Sequence, residues 1–447
     1  MSTNRESPKK YFIYTFGCQM NEHDSEILAG MLEAKGYRPT EDTGTADLVL
    51  LNTCCIRATA ENKVFSYLGR LKSRKLSNPA MIIGVCGCMP QQKGMGARLR
   101  QLFPYVDMIF GTHNVQQLPT FIDRILAERK PVLEVLTEPD EIMEGLPATR
   151  KEGLRAWVTI THGCDNYCTY CIVPYVRGRE RSREPDDIIK EMVGLAGDGF
   201  KEIVLLGQNV NSYGKDLKKP LDFAGLLENL DGVSGIERIR YMTSHPRDFN
   251  EELIRTIARL GKVCEHFHLP VQSGSSRILE KMHRGYNREH YLRLVEKIRR
   301  YIPAATITTD IMVGFPGEDD GDFRATMDLV REVRFDSSYT FVYNARPGTP
   351  AAGMTEQVPD EIKKQRIQDL IKLQNTISME KNEEKEGSQQ EVLVEGESNI
   401  GPGLLYGRSR GNKTVVFAGD NTLTGSTVTV TVTRAHLAYL EGSLIKQ

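Results

Sequence analysis

Strand-like and helix-like stretches alternate along this chain from Tyr11 onward, and the first three strands each end in a cysteine. Tyr11-Phe-Ile-Tyr-Thr-Phe-Gly-Cys18 is an apolar, β-branched and aromatic run, and Asn21 to Tyr37 follows with helical spacing at Ile27, Leu28, Met31 and Leu32. Ala46-Asp-Leu-Val-Leu-Leu-Asn-Thr-Cys54 repeats the plan ahead of a helix from Ala58 to Lys75. Met81-Ile-Ile-Gly-Val-Cys-Gly-Cys88 is a third strand, and Val106-Asp-Met-Ile-Phe-Gly111 a fourth, with a helix through Phe121 to Arg129. Such alternation dictates a parallel sheet, because a crossover helix must return the chain to the same edge. Ligands of an open parallel sheet bind outside the carboxyl ends of its strands. Cys18, Cys54 and Cys88 can therefore converge on one cluster although they lie far apart in sequence. Small core residues at strand ends are the competing reading. Cys55, Cys86 and Cys264 read as packing, because Cys55 should point away from the Cys54 side, Cys86 lies inside a strand and Cys264 has no partner at metal spacing.

A second set of three thiols is local. Gly163-Cys-Asp-Asn-Tyr-Cys-Thr-Tyr-Cys-Ile-Val-Pro-Tyr175 places Cys164, Cys168 and Cys171 at C-x3-C-x2-C spacing and supplies no fourth cysteine. Three thiolates hold three corners of a cubane iron–sulfur cluster and leave one iron open to a ligand. A structural zinc loop needs four closed ligands, and no fourth Cys or paired His lies at finger spacing here.

From Arg155 six further strands alternate with helices. They are Ala156 to Thr161, Glu202 to Gly207, Arg238 to Met242, His266 to Leu269, Thr306 to Val313 and Tyr339 to Tyr343. Six units fall two short of a closed eightfold barrel, so a partial barrel with an open side is expected, with its chemistry at the C-terminal strand ends. Those ends carry polar, glycine-bearing turns, among them Gly207-Gln-Asn-Val-Asn-Ser-Tyr-Gly214 and Pro270-Val-Gln-Ser-Gly-Ser275. Gln208, Asn209, Gln272 and Ser273 are candidates for binding a cofactor there, with an ordinary turn role as the plain alternative.

Downstream of the cysteine loop lie Arg177, Arg179, Arg181 and Arg183. In an extended segment alternate residues share a side, which would make one basic strip fit for an RNA backbone; a solvated charged face is the rival. Pro347 to Pro359 marks a boundary, then a long helix runs from about Asp360 to Glu386 with Ile367, Leu370, Leu373 and Ile377 as its apolar stripe. Ser388 to Gln447 switches to short strands with glycines at the turns, expected to close a small OB-like barrel. Arg408, Arg410, Lys413 and Tyr406 cluster around one hairpin there and are candidates for single-stranded nucleic acid.

Three domains are expected, at residues 9–130, 153–380 and 387–447, with the Pro-bearing stretch Lys130 to Gly153 as the first linker. The polar opening Met1 to Lys10 has no apolar core and no apolar run is long enough to span a bilayer, so a cytoplasmic protein is expected. Nine cysteines without a secretion signal argue for metal binding rather than disulfides. A net charge of −1 excludes a strongly basic nucleic-acid binder, so any RNA contact has to come from local patches.

With these residues in view the chain resembles the tRNA methylthiotransferases, a radical S-adenosylmethionine (radical SAM) family, over essentially its whole length. The resemblance rests on Thr15-Phe-Gly-Cys-Gln-Met-Asn21 with Asp24-Ser-Glu26, on Asn52-Thr-Cys-Cys-Ile-Arg57, on Gly87-Cys-Met89, on the Gly163 to Tyr175 loop, and on the Gly207 and Pro270 turns. It is similar to the branch acting on N6-isopentenyladenosine at position 37 of the tRNA anticodon loop; Pro90 departs from the usual small residue. The resemblance implies an open parallel α/β sheet, a partial (β/α)6 radical SAM barrel and a C-terminal TRAM barrel. It implies two [4Fe-4S] clusters, on Cys164, Cys168 and Cys171 and on Cys18, Cys54 and Cys88, with S-adenosylmethionine as methyl and radical source. A reduced electron donor and a sulfur donor are implied as well, and a monomer is expected. The rivals are a family member acting on threonylcarbamoyladenosine tRNA or on a ribosomal protein, and, from other classes, an RNA-binding protein with structural zinc or an electron carrier.

Overall fold

The computed structural model describes residues 7–55, 58–138, 142, 144–150 and 153–445. Met1 to Glu6, Ile56 and Arg57 of the Asn52 motif, and parts of the Lys130 to Gly153 stretch lie outside the described residues. The chain divides into two compact units. One holds Met1–Glu152, His162–Asp165 and Cys171–Arg183; the other holds Gly153–Thr161, Asn166–Tyr170 and Glu184–Gln447.

In the first unit, strands β1 (Lys10–Thr15), β2 (Arg38–Pro39), β3 (Leu48–Thr53), β4 (Ile82–Gly87), β5 (Met108–Phe110) and β6 (Val132–Glu134) form one parallel sheet in the order β2-β1-β3-β4-β5-β6. Helices α1 (Gln19–Ala34), α2 (Ala58–Ser77), α3 (Cys88–Gln91), α4 (Met95–Leu102) and α5 (Leu118–Glu128) connect them. Side-chain alternation explains why β3 reads as an unbroken apolar run. Leu48 and Leu50 pack with Leu28, Leu32, Phe121 and Ile122 on one face. Val49 and Leu51 pack with Val64, Leu68 and Leu99 on the other. Register then fixes the tips. Thr15 stands opposite Asn52 and Thr53 opposite Gly87, so Gly17, two residues past Thr15, comes level with Cys54, and Cys54 with Cys88, one residue past Thr53 and Gly87. Also in this unit are the helical turn α6 (Val173–Arg177) and the short strand β9 (Arg181–Ser182), which follows β8 (Thr161–His162) in the chain.

The second unit opens with β7 (Arg155–Thr159) and continues through α7 (Pro185–Gly197), β10 (Glu202–Leu206), α8 (Phe223–Asp231), β11 (Arg238–Tyr241), α9 (Glu251–Arg259), β12 (His266–His268), α10 (Ser276–Lys281), α11 (Arg288–Tyr301), β13 (Thr306–Val313), α12 (Asp320–Val333) and β14 (Ser337–Val342). Parallel pairing runs β7-β10-β11 and β12-β13-β14, and the bridge Ile239 to Val263 joins the two sets into one arc of six strands. Helix α13 (Asp360–Glu383) buries Leu370 and Ile377 against that core, as its stripe requires.

Strands β15 (Gln389–Glu397), β16 (Leu404–Ser409), β17 (Thr414–Ala418), β18 (Thr427–Ala435) and β19 (Leu440–Leu444) close a barrel around Val392, Val394, Leu405, Val415, Phe417 and Val430. Buried arginines join this barrel to the strand starts of the core. Arg238 donates to the Arg408 carbonyl at 2.6 Å and to Glu391 at 2.9 Å. Arg240 donates to the carbonyls of Ser409 and Arg410, each at 2.7 Å.

Candidate metal centres

At the tips of the N-terminal sheet, Asn21 lies against two of the three separated cysteines. Its Oδ1 lies 3.7 Å from the Cys18 sulfur and 4.0 Å from the Cys88 sulfur. Its Nδ2 donates to the carbonyls of Phe16 and Thr53 at 3.0 and 3.1 Å, tying the ends of β1 and β3 together. Behind it Asn52 donates to the Asn21 carbonyl at 2.8 Å and to Ser25 at 2.9 Å, and Thr15 donates to Ser25 at 2.7 Å. The sequence places glycine where the tips touch. A Cβ on Gly17, at φ +125°, would stand 2.5 Å from Cys54 Cβ and 3.0 Å from its sulfur; one on Gly87, at φ +94°, would stand 2.5 Å from Asn52 Oδ1.

Cys18 caps α1 and Cys88 begins α3, so both thiols sit at helix N-termini, which favour thiolate. Burial still pushes the Cys18 thiol up, against the nearby guanidinium of Arg177. Cys55 behaves otherwise than its expected outward packing. It is buried with Cys88, Ile172 and Val176, and its thiol donates to the Cys88 sulfur. That hydrogen bond, with Arg177 behind it, lowers the Cys88 pKa. A residue next to a strand tip is no longer bound by strand alternation, which is why Cys55 turns inward. Cys86 and Cys264 are fully packed, at 0% and 1% exposure.

In the C-x3-C-x2-C loop Cys164 and Cys168 are buried and Cys171 half-buried. Gly163, at φ +72°, lets the chain pass 2.1 Å from the Arg179 carbonyl as measured from a notional Cβ. Asp165 accepts both Arg179 Nε and Nη2, at 2.8 and 3.0 Å. In the second unit the wholly buried Arg284 donates to the Cys168 sulfur at 3.3 Å, to Tyr170 at 3.3 Å and to the Pro270 carbonyl at 2.8 Å. Nothing in the sequence around Arg284 marks it out. Among the described residues no three His, Cys, Asp or Glu side chains close on a single ion. The fit of the two sets to clusters therefore rests on donor chemistry: largely buried sulfur and a guanidinium beside each set, with helix N-termini at Cys18 and Cys88, which suits anionic iron–sulfur groups.

The cofactor candidates lie after the strands that lead to them. Asn209 is buried, with its amide given to Asp248 at 2.8 Å and its oxygen taking the His245 amide at 3.1 Å. Ser273 is buried against Thr326 and accepts from the Ser275 amide. Gln208 is half-buried. Gln272 sits at φ +72° and Thr243, just past β11, at φ +68°, conformations that bulky residues hold only under local constraint and that cluster at binding sites.

The shared strip expected of Arg177, Arg179, Arg181 and Arg183 does not form. Pro174 starts a helical turn, and the segment is not extended until Arg181. Arg177 turns inward to Asp24, Arg183 is buried against Glu144 at 2.7 Å, and Arg181 is half-buried; only the Arg179 side chain, at 75% exposure, faces solvent broadly. Of the hairpin arginines, Arg410 is engaged bidentately by Glu265 at 2.7 to 3.1 Å, and Arg408 donates to the Asn412 carbonyl. Arg410, just past β16, binds the core beside β12, whereas Arg408 binds within its own hairpin.

Residues 10–111 match the model of Uncharacterized protein family UPF0004, residues 158–330 that of the Radical SAM superfamily and residues 383–445 that of the TRAM domain. The chain is 64% identical over 437 residues to a tRNA-2-methylthio-N(6)-dimethylallyladenosine synthase of Pelotomaculum thermopropionicum, covering 98% of each chain. It is 56% identical to the protein of the same name from Desulforamulus reducens, covering 100% of this chain and 97% of that one. Among solved structures it is similar in fold to the radical S-adenosylmethionine methyltransferase TsrM from Kitasatospora setae, solved with cobalamin and a [4Fe-4S] cluster, at TM-score 0.57 and 15% identity over 90% of this chain and 81% of that one.

Proposed function

The chain belongs to the tRNA-2-methylthio-N(6)-dimethylallyladenosine synthase family, and we propose that it inserts sulfur and a methyl group at C2 of N6-(dimethylallyl)adenosine at position 37 of tRNA. The observation that supports this reading is that Asn21 Oδ1 faces the sulfurs of Cys18 and Cys88 while Cys54 abuts Gly17, next to Cys18. Two separate three-thiol sets are what a reaction needing both a radical source and a sulfur source calls for. The adenine C2–H bond is neither acidic nor electrophilic, so no side-chain acid or base offers a route to it.

Cys164, Cys168 and Cys171 would hold the radical cluster with S-adenosylmethionine on its open iron, and Cys18, Cys54 and Cys88 the auxiliary cluster. When bound, these groups supply an adenosyl radical and the sulfur to be transferred. The chain's own share is placement and shielding. Asn21 and the two tip glycines hold the strand tips that carry the auxiliary thiols, Arg284 sets a fixed charge against Cys168, and the polar turn residues Gln208, Asn209, Gln272 and Ser273 are the candidates for S-adenosylmethionine. The anticodon loop leaves its bases free to be splayed out, which lets the target base reach such a site. A monomer, a reduced electron donor and a separate sulfur donor complete the proposal. Nine free cysteines and the lack, among the described residues, of any helix long and apolar enough to cross a membrane are in keeping with a cytoplasmic site of action.

The test is anaerobic reconstitution with tRNA that carries or lacks the N6-dimethylallyl group. Ala at Cys164, Cys168 and Cys171 should abolish S-adenosylmethionine cleavage. Ala at Cys18, Cys54 or Cys88 should leave cleavage and stop sulfur insertion. Methylthiolation by Cys54→Ala protein would sink the auxiliary assignment, and equal turnover on tRNA lacking the dimethylallyl group would move the substrate to the rival branch.

A further inference from the structure

Arg177 stands six positions beyond Cys171, yet its guanidinium lies among the other thiol set. Nη2 donates to Asp24 Oδ2 at 2.7 Å and to Asn21 Oδ1 at 3.0 Å, the same oxygen that faces the sulfurs of Cys18 and Cys88. The side chain is 7% exposed. The turn that carries it is pinned: Val176 and Ile172 pack on Cys88 and Cys55, and Thr112 donates to the Val176 carbonyl. A guanidinium stays charged at any working pH. Burying it with a single carboxylate roughly cancels in stability, so folding alone gives weak reason to put it there.

We propose that Arg177 is a positioning residue that sets the reduction potential of the auxiliary cluster. The inference rests on the reading that Cys18, Cys54 and Cys88 hold that cluster. Reduction adds one negative charge to an already anionic group. A fixed cation one side-chain atom away from two of its thiolates favours the reduced form and raises the potential. Because Arg177 follows Cys171 in the chain, the loop that holds the radical cluster also delivers the charge that tunes its neighbour.

The experiment uses full-length protein with Cys164, Cys168 and Cys171 replaced by Ala, so that only auxiliary iron gives a signal. Iron, sulfide and the midpoint potential by EPR-monitored titration are read in this background and in Arg177→Gln, Arg177→Lys and Arg183→Gln. Arg177→Gln should keep its iron and lower the reduced-to-oxidised ratio at fixed potential about tenfold, which is ~59 mV for a one-electron couple. Arg177→Lys should recover most of that, and Arg183→Gln, which removes a buried arginine paired with Glu144, should change nothing. An unchanged potential in Arg177→Gln, or an equal shift in Arg183→Gln, overturns the inference. If Arg177→Gln does not fold, Asp24→Asn takes its place: leaving the cation uncompensated should raise the potential, and no rise overturns the proposal. Absence of iron and sulfide from the triple Ala background with Arg177 intact would overturn the auxiliary-cluster reading itself, and this inference with it.

Discussion

Arg240 Nε donates to Glu202 Oε2 at 2.8 Å, and the two side chains are almost wholly withdrawn from solvent, at 4% and 0% exposure. Arg155 reaches the other oxygen of Glu202 and continues to Glu395 of β15 at 2.7 Å. This chain of charges joins the strand starts β7, β10 and β11 to the C-terminal barrel. Removing Arg240 leaves the buried Glu202 with Arg155 alone and strips the Ser409 and Arg410 carbonyls of their donor, which costs more than the pair contributes when intact. Arg240→Ala is expected to lower stability by about 3–5 kcal/mol, read as a fall in denaturant midpoint. The double variant Glu202→Leu, Arg240→Met should recover much of it; a double variant no better than the single would contradict this account.

Gly17 and Gly36 give a prediction that separates contact from backbone strain. Gly17→Ala forces a methyl group against Cys54, whereas Gly36, at φ +85°, has nothing within 4 Å of a notional Cβ. Gly36→Ala should cost about 1–3 kcal/mol of strain and retain all its iron on reconstitution. Gly17→Ala should lose the iron held by Cys18, Cys54 and Cys88 while S-adenosylmethionine cleavage persists. Full iron in Gly17→Ala would show that the tips can part without harm.

The sheet, the arc of six strands and the placing of Cys18, Cys54 and Cys88 past three strand ends are legible in the sequence because each rests on a local pattern: apolar runs alternating with helical ones, and a cysteine after each run. What escapes it depends on tertiary neighbours. Strand β19 closes the barrel beside β17 but carries Leu440-Glu-Gly-Ser-Leu444, with a glycine and no β-branched residue to mark it. Cys55 turns toward Cys88 because it lies past the strand end, where alternation no longer applies. The arginine strip follows from period-two spacing alone, and Pro174 sets a helical turn there instead. Asn21 and Asp24 stand within the motif that marks the first tip, but their roles emerge only once Arg177 is seen to reach them.

The arginines separate into two kinds that salt titration should tell apart. Arg179 is largely exposed, and its ion pair with Asp165 is of the surface kind that contributes little. Arg179→Ala is expected to weaken tRNA binding and to make the slope of log affinity against log salt shallower by about one. Arg410→Ala, which abandons Glu265, should reduce stability and leave that slope unchanged. A steeper loss of slope for Arg410 than for Arg179 would reverse the assignment.

Four histidines, His23, His162, His245 and His266, are all pushed down by burial, and His162 and His245 show how they make the apo-protein's stability depend on pH in a defined window. Burial, with Arg181 nearby, pushes His162 down to about 3; burial, with Arg284 nearby, pushes His245 down to about 2. In the unfolded chain both should titrate near the ordinary value of about 6.5. Below that value the unfolded chain binds protons that the folded chain refuses, so stability falls as pH falls from about 6.5 toward the folded values, and above about 6.5 these groups contribute no slope. Each histidine adds up to about 1.4 kcal/mol per pH unit within the window. Denaturant titrations of apo-protein between pH about 6 and 5, above the carboxylate range, should show stability declining with acidity. His162→Gln should reduce proton uptake on unfolding by about one at the acid end. A slope equal to that of the parent would mean that His162 is protonated in the folded protein, and that the surrounding Arg177, Arg181 and Arg183 fail to exclude its charge.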